Sequence, residues 1–173
     1  MAKIGLFYGS STGNTETAAF QLKEKMEAMD GIDTVDVHNI GASDEAKILS
    51  YEYLIFGIPT WNTGELQDDW AIFFPKLGSM DFSGKKVALF GLGDQNGYGF
   101  NFLDAMGVLG DEVLIQGGDL IGYWSKRTYD FAESLAIDND FFMGLGLDND
   151  GQAEMTDARI VKWAEWIKQD FGI

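Results

Sequence analysis

The sequence contains no cysteine among its 173 residues. This excludes disulfides, cysteine-ligated iron–sulfur clusters, cysteine zinc sites and thiol nucleophiles. A protein of this composition that moves electrons therefore needs a bound organic cofactor. Histidine occurs once, at His38 in a strand-like run, and no Ser–His–Asp or metal-ligand pattern is evident. We interpret His38 as a structural residue, and we expect no metal site and no catalytic residue.

Basic residues are also scarce, because 12 lysines and arginines stand against 28 acidic residues, a net charge of −16. A field of that sign repels nucleic acids and anionic lipid surfaces and attracts basic partners, although it also serves solubility alone. No apolar run approaches the length of a membrane span, and the first residues lack the pattern of a signal peptide. We expect a cytoplasmic protein that binds no nucleic acid and does not insert into a membrane.

Short apolar runs alternate with helical patterns along the whole chain. The helical stripes lie within residues 18–29, 42–50, 66–77, 102–113 and 160–171, and the third of these is expected to be distorted or to end near Pro75. Strands are predicted at residues 3–8, 34–39, 53–58, 87–92, 119–124 and 141–147.

This alternation predicts an α/β fold with three layers, in which a doubly wound parallel sheet carries helices on both faces. The length fits one domain over residues 1–173, with no linker or repeat to divide it. Ligands of such sheets bind at the carboxyl ends of the strands, near the switch point. The loops that follow Tyr8, Gly57, Leu92 and Trp124 are therefore the candidates for a functional site.

The loop after the first strand is rich in hydroxyl groups. Five of them fall within eight positions, mixed with two glycines, at Ser10, Ser11, Thr12, Thr15 and Thr17. Backbone amides at a helix start and hydroxyl donors together favour an anion, although a single Ser or Thr that caps the helix is the simpler alternative. Neither a G-x-x-x-x-G-K-[ST] loop nor a G-x-G-x-x-G pattern is present. The loop therefore indicates a phosphomonoester that is held by neutral donors.

Two further loops each contain one prominent aromatic residue. Trp61 follows the third strand in G-I-P-T-W-N-T-G-E-L, and Tyr98 lies in the glycine-rich G-L-G-D-Q-N-G-Y-G-F. Either residue alone could cap the local core or lie exposed. Both loops leave the same edge of the sheet, so the two rings could enclose a flat heterocycle. A phosphate beside a planar ring points to flavin mononucleotide (FMN).

With these three loops, the sequence resembles the flavodoxins. The matching motifs are S-S-T-G-N-T-E, P-T-W-N-T-G-E-L-Q-D-D-W and F-G-L-G-D-Q-N-G-Y, and the resemblance covers essentially the whole chain. It implies a five-stranded sheet of order 2-1-3-4-5. The stretch from Trp124 to Asp140 interrupts strand five, which is the mark of the long-chain subgroup.

The resemblance also implies roles for particular residues. It assigns Trp61 to the inner flavin face, Tyr98 to the outer face, the turn 62–64 to a peptide that flips toward flavin N5, and the segment 93–95 to the pyrimidine edge. The cofactor site that it implies comprises Ser10, Ser11, Thr12, Gly13, Asn14, Thr15, Pro59, Thr60, Trp61, Asn62, Thr63, Gly64, Leu92, Gly93, Asp94, Tyr98, Asn101 and Phe102.

The implied function is a low-potential one-electron carrier, not an enzyme, that shuttles FMN between hydroquinone and neutral semiquinone. The implied partners are a basic reductase such as ferredoxin:NADP reductase as donor and photosystem I, nitrogenase or a biosynthetic enzyme as acceptor, and the carrier is expected to be a monomer. An FMN-dependent NAD(P)H:quinone reductase is the alternative, but its open pocket should be obstructed by Tyr98. Departures from the family pattern at Gly99-Phe100 and at 126–128 bear on the docking surface.

Overall fold

A computed structural model describes all residues from Met1 to Ile173. Ten strands and five helices follow one another along the chain. The strands are β1 (Ala2–Tyr8), β2 (Ile32–Asn39), β3 (Tyr53–Trp61), β4 (Glu65–Leu66), β5 (Lys86–Leu92), β6 (Asp119–Ile121), β7 (Trp124–Ser125), β8 (Ile137–Asp138), β9 (Phe141–Phe142) and β10 (Leu145–Leu147). The helices are α1 (Asn14–Glu27), α2 (Glu45–Leu49), α3 (Asp68–Leu77), α4 (Asp104–Ile115) and α5 (Thr156–Phe171).

The main sheet has the predicted parallel order. Its strands run β2-β1-β3-β5, and the fifth place is shared by β6 and β10, which both pair with β5. Tyr8 at the end of β1 lies opposite Gly57 of β3, and Pro59 lies opposite Leu92 of β5. The chain turns in opposite directions from β1, so the edge beside Tyr8 and Gly57 is the switch point.

Two apolar clusters lie on the two faces of this sheet. One packs α3 and α4 against strands through Phe56, Trp70 and Met106. The other packs α1 and α5 against the opposite face through Leu22, Phe90 and Trp163. β3 supplies side chains to both faces, and its residues 54–58 are buried, which explains its continuously apolar sequence. No helix combines the length and the apolar composition that a bilayer crossing requires.

The stretch between β6 and β10, residues 122–144, forms an insertion with its own antiparallel sheet of order β7-β9-β8. Phe142 of this insertion packs with Phe102, Tyr129 and Phe131, with ring centroids 5.1–5.8 Å apart. Burial raises the pKa of Tyr129 to about 12, so its hydroxyl stays protonated and donates to the Gly146 carbonyl of β10. The interrupted fifth strand is thus confirmed, and the insertion is packed onto the domain by aromatic rings.

Helix α3 contains Pro75 and ends two residues later at Leu77, as expected for a helix that ends near this proline, and the carbonyl that loses its donor belongs to the solvent-exposed Ala71. Other sequence-based boundaries differ from the structure. Leu66 pairs with Thr60 in the β3–β4 hairpin and does not belong to α3. The predicted strands 119–124 and 141–147 each divide between the main sheet and the small sheet.

Candidate functional site

The first loop, residues 9–13, leads from β1 into α1. Gly13 occupies the position before the helix with a left-handed φ of 89°, and no side chain caps this end. The Gly13 amide donates to Ser10 Oγ over 3.0 Å, and Gln67 Nε2 donates to Ser11 Oγ over 3.2 Å, so the loop is held in place by its own hydroxyls. Because no side chain caps this end, the amides of the first turn of α1 remain free to bind an anion.

The second loop, residues 62–64, closes the hairpin between β3 and β4. Asn62 and Gly64 both have left-handed φ angles, of 47° and 90°, and Asn62 Nδ2 donates to Glu65 Oε2 over 3.2 Å. Directly before this turn, Thr60 Oγ1 accepts from the Ala105 amide over 3.0 Å, which fixes the strand end to α4. The Nε1 of Trp61 is buried and has no hydrogen-bond partner. An unpaired buried donor of this kind is unfavourable unless a ligand or water accepts from it.

The third loop, residues 93–103, begins with a tight turn around Asp94. Its Oδ1 accepts from the amides of Asn96 and Gly97, and its carbonyl accepts from the Tyr98 amide over 2.9 Å. These bonds place Tyr98 at the rim, where its side chain is 44% exposed. A large aromatic surface is therefore held at the edge of the site by the backbone of the turn.

These loops surround one pocket with a volume of about 300 Å³, the lower end of the range for small-molecule sites. It is lined by 16 residues, which are Ser10, Ser11, Thr12, Asn14, Thr15, Pro59, Thr60, Trp61, Asn62, Leu92, Gly93, Asp94, Tyr98, Asn101, Asn149 and Asp150. None of them is a lysine or an arginine, and the only charged ones are Asp94 and Asp150. An anion in this pocket would be bound by dipoles and hydroxyls without a neutralising cation.

Four predicted site residues do not line the pocket. Gly13 shapes the first loop, Thr63 lies exposed at the tip of the second, and Gly64 packs against Asp104. Phe102 is 1% exposed and belongs to the aromatic cluster under the insertion. The side chain of Gln95, expected near the pyrimidine edge, points inward and binds Asp148.

Sequence reasoning missed Asn149 and Asp150, which form part of a fourth loop, residues 148–152. This loop follows β10 at the same edge of the sheet as the other three loops. The available signal was the polar D-N-D-G that directly follows the apolar run ending at Leu147. The predicted strand 141–147 ends there, and the carboxyl end of a parallel strand lies at the same edge of the sheet as those of its neighbours.

Elsewhere in the chain, no cluster of three or more His, Asp or Glu side chains is arranged to hold a metal ion. The fold and the pocket together define a doubly wound α/β protein with a pocket at its switch point that is lined by hydroxyl groups and aromatic rings and by no basic side chain.

Comparison with known proteins gives this class a family. The family model described as flavodoxin matches residues 6–163. The chain is 49% identical to the flavodoxin of Synechocystis sp., with 97% of each chain covered, and 46% identical to that of Nostoc sp., with 99% of this chain and 98% of the relative covered. A crystal structure of Fusobacterium nucleatum flavodoxin bound to flavin mononucleotide aligns with a TM-score of 0.91 at 32% identity, over 98% of this chain and 99% of that chain. This chain belongs to the flavodoxin family.

Proposed function

We propose that this chain binds FMN in the switch-point pocket and carries single electrons between redox proteins, without enzymatic turnover of its own. The observation that carries the proposal is the make-up of the pocket, where an uncapped helix start with hydroxyls stands beside Trp61 and Tyr98 and no basic side chain is present. Membership of the flavodoxin family and the FMN-bound Fusobacterium structure support the same cofactor.

The residues of the pocket fit such a cofactor. Ser10, Ser11, Thr12, Asn14 and Thr15 would hold the phosphate, since they line the pocket at the N-terminus of α1. Trp61 and Tyr98 would contact the ring, and Trp61 Nε1 is an unpaired buried donor that a cofactor oxygen or a bridging water could satisfy. Pro59, Thr60, Asn62, Leu92, Gly93, Asp94 and Asn101 would complete the walls. Gly13 and Gly64 shape the loops that carry these residues, Thr63 would reach the cofactor from the exposed tip of the second loop, and Phe102 belongs to the aromatic cluster under the insertion.

Bound FMN supplies the one-electron chemistry. The chain positions the cofactor, and its aromatic walls exclude water from the ring. In the second loop a backbone carbonyl near Asn62 would accept a hydrogen bond from an N–H group of the ring, and the left-handed Asn62 and Gly64 on either side of Thr63 would allow the peptide between them to reorient. The carboxylates of Asp94 and Asp150 line the same pocket and oppose the addition of negative charge.

The partners of the chain are redox proteins, as its family implies. We infer a basic reductase such as ferredoxin:NADP reductase as the donor, and photosystem I, nitrogenase or a biosynthetic enzyme as the acceptor, because a net charge of −16 favours basic docking surfaces. We further infer that residues 1–173 form a single FMN-binding domain that works as a monomer in the cytoplasm.

The test is the visible spectrum of the purified protein, followed by titration of the flavin-free protein with FMN and with riboflavin, which lacks the phosphate. We expect flavin absorption and a clearly higher affinity for FMN. Equal affinities would contradict the phosphate assignment. Steady NADH:quinone turnover by the protein alone would favour a quinone reductase instead.

A further inference from the structure

The side chain of Gln95 connects three separate segments beneath the pocket. It is 5% exposed. Its Nε2 donates to Asp148 Oδ2 over 2.7 Å, and its backbone amide donates to the same oxygen over 3.2 Å. Its Oε1 accepts from the Asp130 amide over 2.6 Å. One residue of the third loop therefore binds both the fourth loop and the insertion.

Asp148 depends on these contacts because its carboxylate is fully buried. Oδ1 accepts from the amides of Asp150 and Gly151, over 3.1 and 2.8 Å, while Oδ2 accepts only from Gln95. The two ion pairs of the chain lie elsewhere, so no cation within 4 Å offsets this charge. N–H donors therefore carry its stabilisation, and Gln95 supplies both donors to one of its two oxygens.

Two of the three segments that meet at Gln95 also carry pocket residues. Gln95 lies between Asp94 and Tyr98 in the third loop, and Asp148 directly precedes Asn149 and Asp150 in the fourth. The insertion supports the third loop a second time, since the amides of residues 132 and 133 both donate to the Gly99 carbonyl, over 2.7 and 2.9 Å. The first loop has no part in this network, because its contacts run to Gly13 and Gln67.

We propose that Gln95 is a positioning residue that holds the ring side of the cofactor pocket by joining the third loop, the fourth loop and the insertion. This inference rests on the proposed FMN site. Without the side-chain carboxamide of Gln95, Asp148 Oδ2 loses one of its two donors in a buried site. The third and fourth loops can then adopt other conformations. The apparent affinity for a flavin ring then falls in proportion to the fraction of molecules that keep the binding arrangement.

The experiment separates the ring from the phosphate. The experiment compares three flavin-free proteins: the wild type, Gln95→Leu and the matched control Gln169→Leu, which replaces an exposed glutamine on α5. Each protein is titrated with FMN and with riboflavin by flavin fluorescence, and with inorganic phosphate by phosphorus NMR. In Gln95→Leu we expect the affinities for FMN and riboflavin to fall by the same factor, about tenfold, while the phosphate affinity stays within about twofold. Gln169→Leu should match the wild type throughout.

Two results would overturn the inference: unchanged flavin affinities in Gln95→Leu, or a loss of phosphate affinity by the same factor, which would indicate a global defect.

Gln95→Met, which keeps the side-chain length, replaces the leucine variant if that variant does not fold. Asp148→Asn adds a double-mutant cycle, in which the combined loss should be smaller than the product of the single losses if the two residues act together. A wild type that binds no FMN would refute the proposed function itself, whereas normal wild-type binding with an unaffected Gln95 variant refutes only the positioning role.

Discussion

Thr15 lies in the first turn of α1, where it is 1% exposed yet lines the pocket. Thr15→Val keeps the shape of the side chain and removes the hydroxyl. We expect FMN to bind more weakly by about 1–3 kcal/mol, or about 5- to 150-fold, because a buried phosphate oxygen loses a donor. The riboflavin affinity should change little. Fluorescence titration measures both, and Thr34→Val on β2 is the matched control; an equal loss for both flavins would contradict a phosphate contact.

Tyr98 covers the rim of the pocket with a ring that is 44% exposed. Tyr98→Ala should admit water to the flavin face, and water solvates the negative charge that the second electron brings. We expect the second one-electron potential to rise by more than the first changes, as measured by spectroelectrochemical titration. Phe100→Ala is the control, since Phe100 is 70% exposed in the same loop and does not line the pocket. A shift of both potentials by the same amount would argue against this role.

His38 lies on β2, where its ring packs on Phe7 at 4.9 Å and its Nε2 lies 3.1 Å from the Tyr51 hydroxyl, which donates to Asp36. Burial, with a smaller contribution from Lys47, lowers the pKa of His38 below its ordinary value, against the opposing effect of Asp36. The unfolded chain then binds the proton first as the pH falls. The associated stability is complete above the unfolded pKa of about 6.5 and is lost as the pH falls from there through the folded pKa.

We therefore expect the free energy of unfolding of flavin-free protein to fall between about pH 7 and pH 5 more steeply in wild type than in His38→Gln. Urea unfolding at several pH values measures this difference. Glu27, whose pKa is lowered mainly by its hydrogen bond from Lys23, contributes a further loss at lower pH in both proteins. Parallel pH profiles for the two proteins would show that His38 does not titrate in the folded state as described.

At the scale of elements, helix α4 contains two glycines, Gly107 and Gly110, at positions where it packs closely against other segments. A Cβ on Gly107 would clash with the backbone carbonyl oxygen of Leu135 in the insertion, whereas a Cβ on Gly110 would meet the flexible end of the Met143 side chain at 2.8 Å. The backbone at Leu135 cannot move aside for a methyl group, whereas the flexible side chain of Met143 can adopt another rotamer. We expect Gly107→Ala to destabilise the protein by about 2 kcal/mol or more, despite the higher helix propensity of alanine, and Gly110→Ala to stay within about 1 kcal/mol of wild type. Urea unfolding of the two variants gives the comparison, and similar effects at both sites would contradict it.

The main sheet could be predicted from sequence because its central strands include continuous apolar runs, as in 53–58 and 87–92. The division of strand five could not be derived in detail. Residues 119–124 and 141–147 read as uniform strands, and only the pairing of Leu120 and Gly146 with β5 separates the main sheet from the small sheet. Pro75 locates the end of α3 only to within a few residues for a similar reason, since the burial of Trp70, Phe73 and Leu77 favours the continuation of the helix to Leu77.

The site residues that can be predicted from sequence are those that stand out by residue type or by number in a loop. Trp61 and Tyr98 stand out in their loops by residue type, and the hydroxyls of the first loop stand out by number. Gln95 and Phe102 lie close to Tyr98 in sequence, but their side chains turn inward, and that direction depends on Asp148 and on the insertion. Distant segments set such orientations, so local patterns do not contain them.

At the scale of the whole molecule, the net charge of −16 destabilises the folded state but promotes docking to a basic partner, so salt should change stability and association rate in opposite directions. Self-repulsion disfavours the compact state, and only two ion pairs offset it locally. The same field attracts a basic reductase. Raising NaCl from about 0.05 to about 0.5 M shortens the Debye length from roughly 14 to roughly 4 Å, so both effects weaken.

We therefore expect the urea midpoint of flavin-free protein to rise with NaCl while stopped-flow association with a basic reductase slows. Asp68→Lys, at the exposed start of α3 near the second loop, should slow association further at low salt. Asp33→Lys makes the same charge change at the amino end of β2, opposite the pocket, and should slow it less. Equal effects of the two substitutions would mean that the reductase responds to the total charge. A larger effect at Asp68 means that it docks at the pocket edge, where the cofactor would exchange electrons.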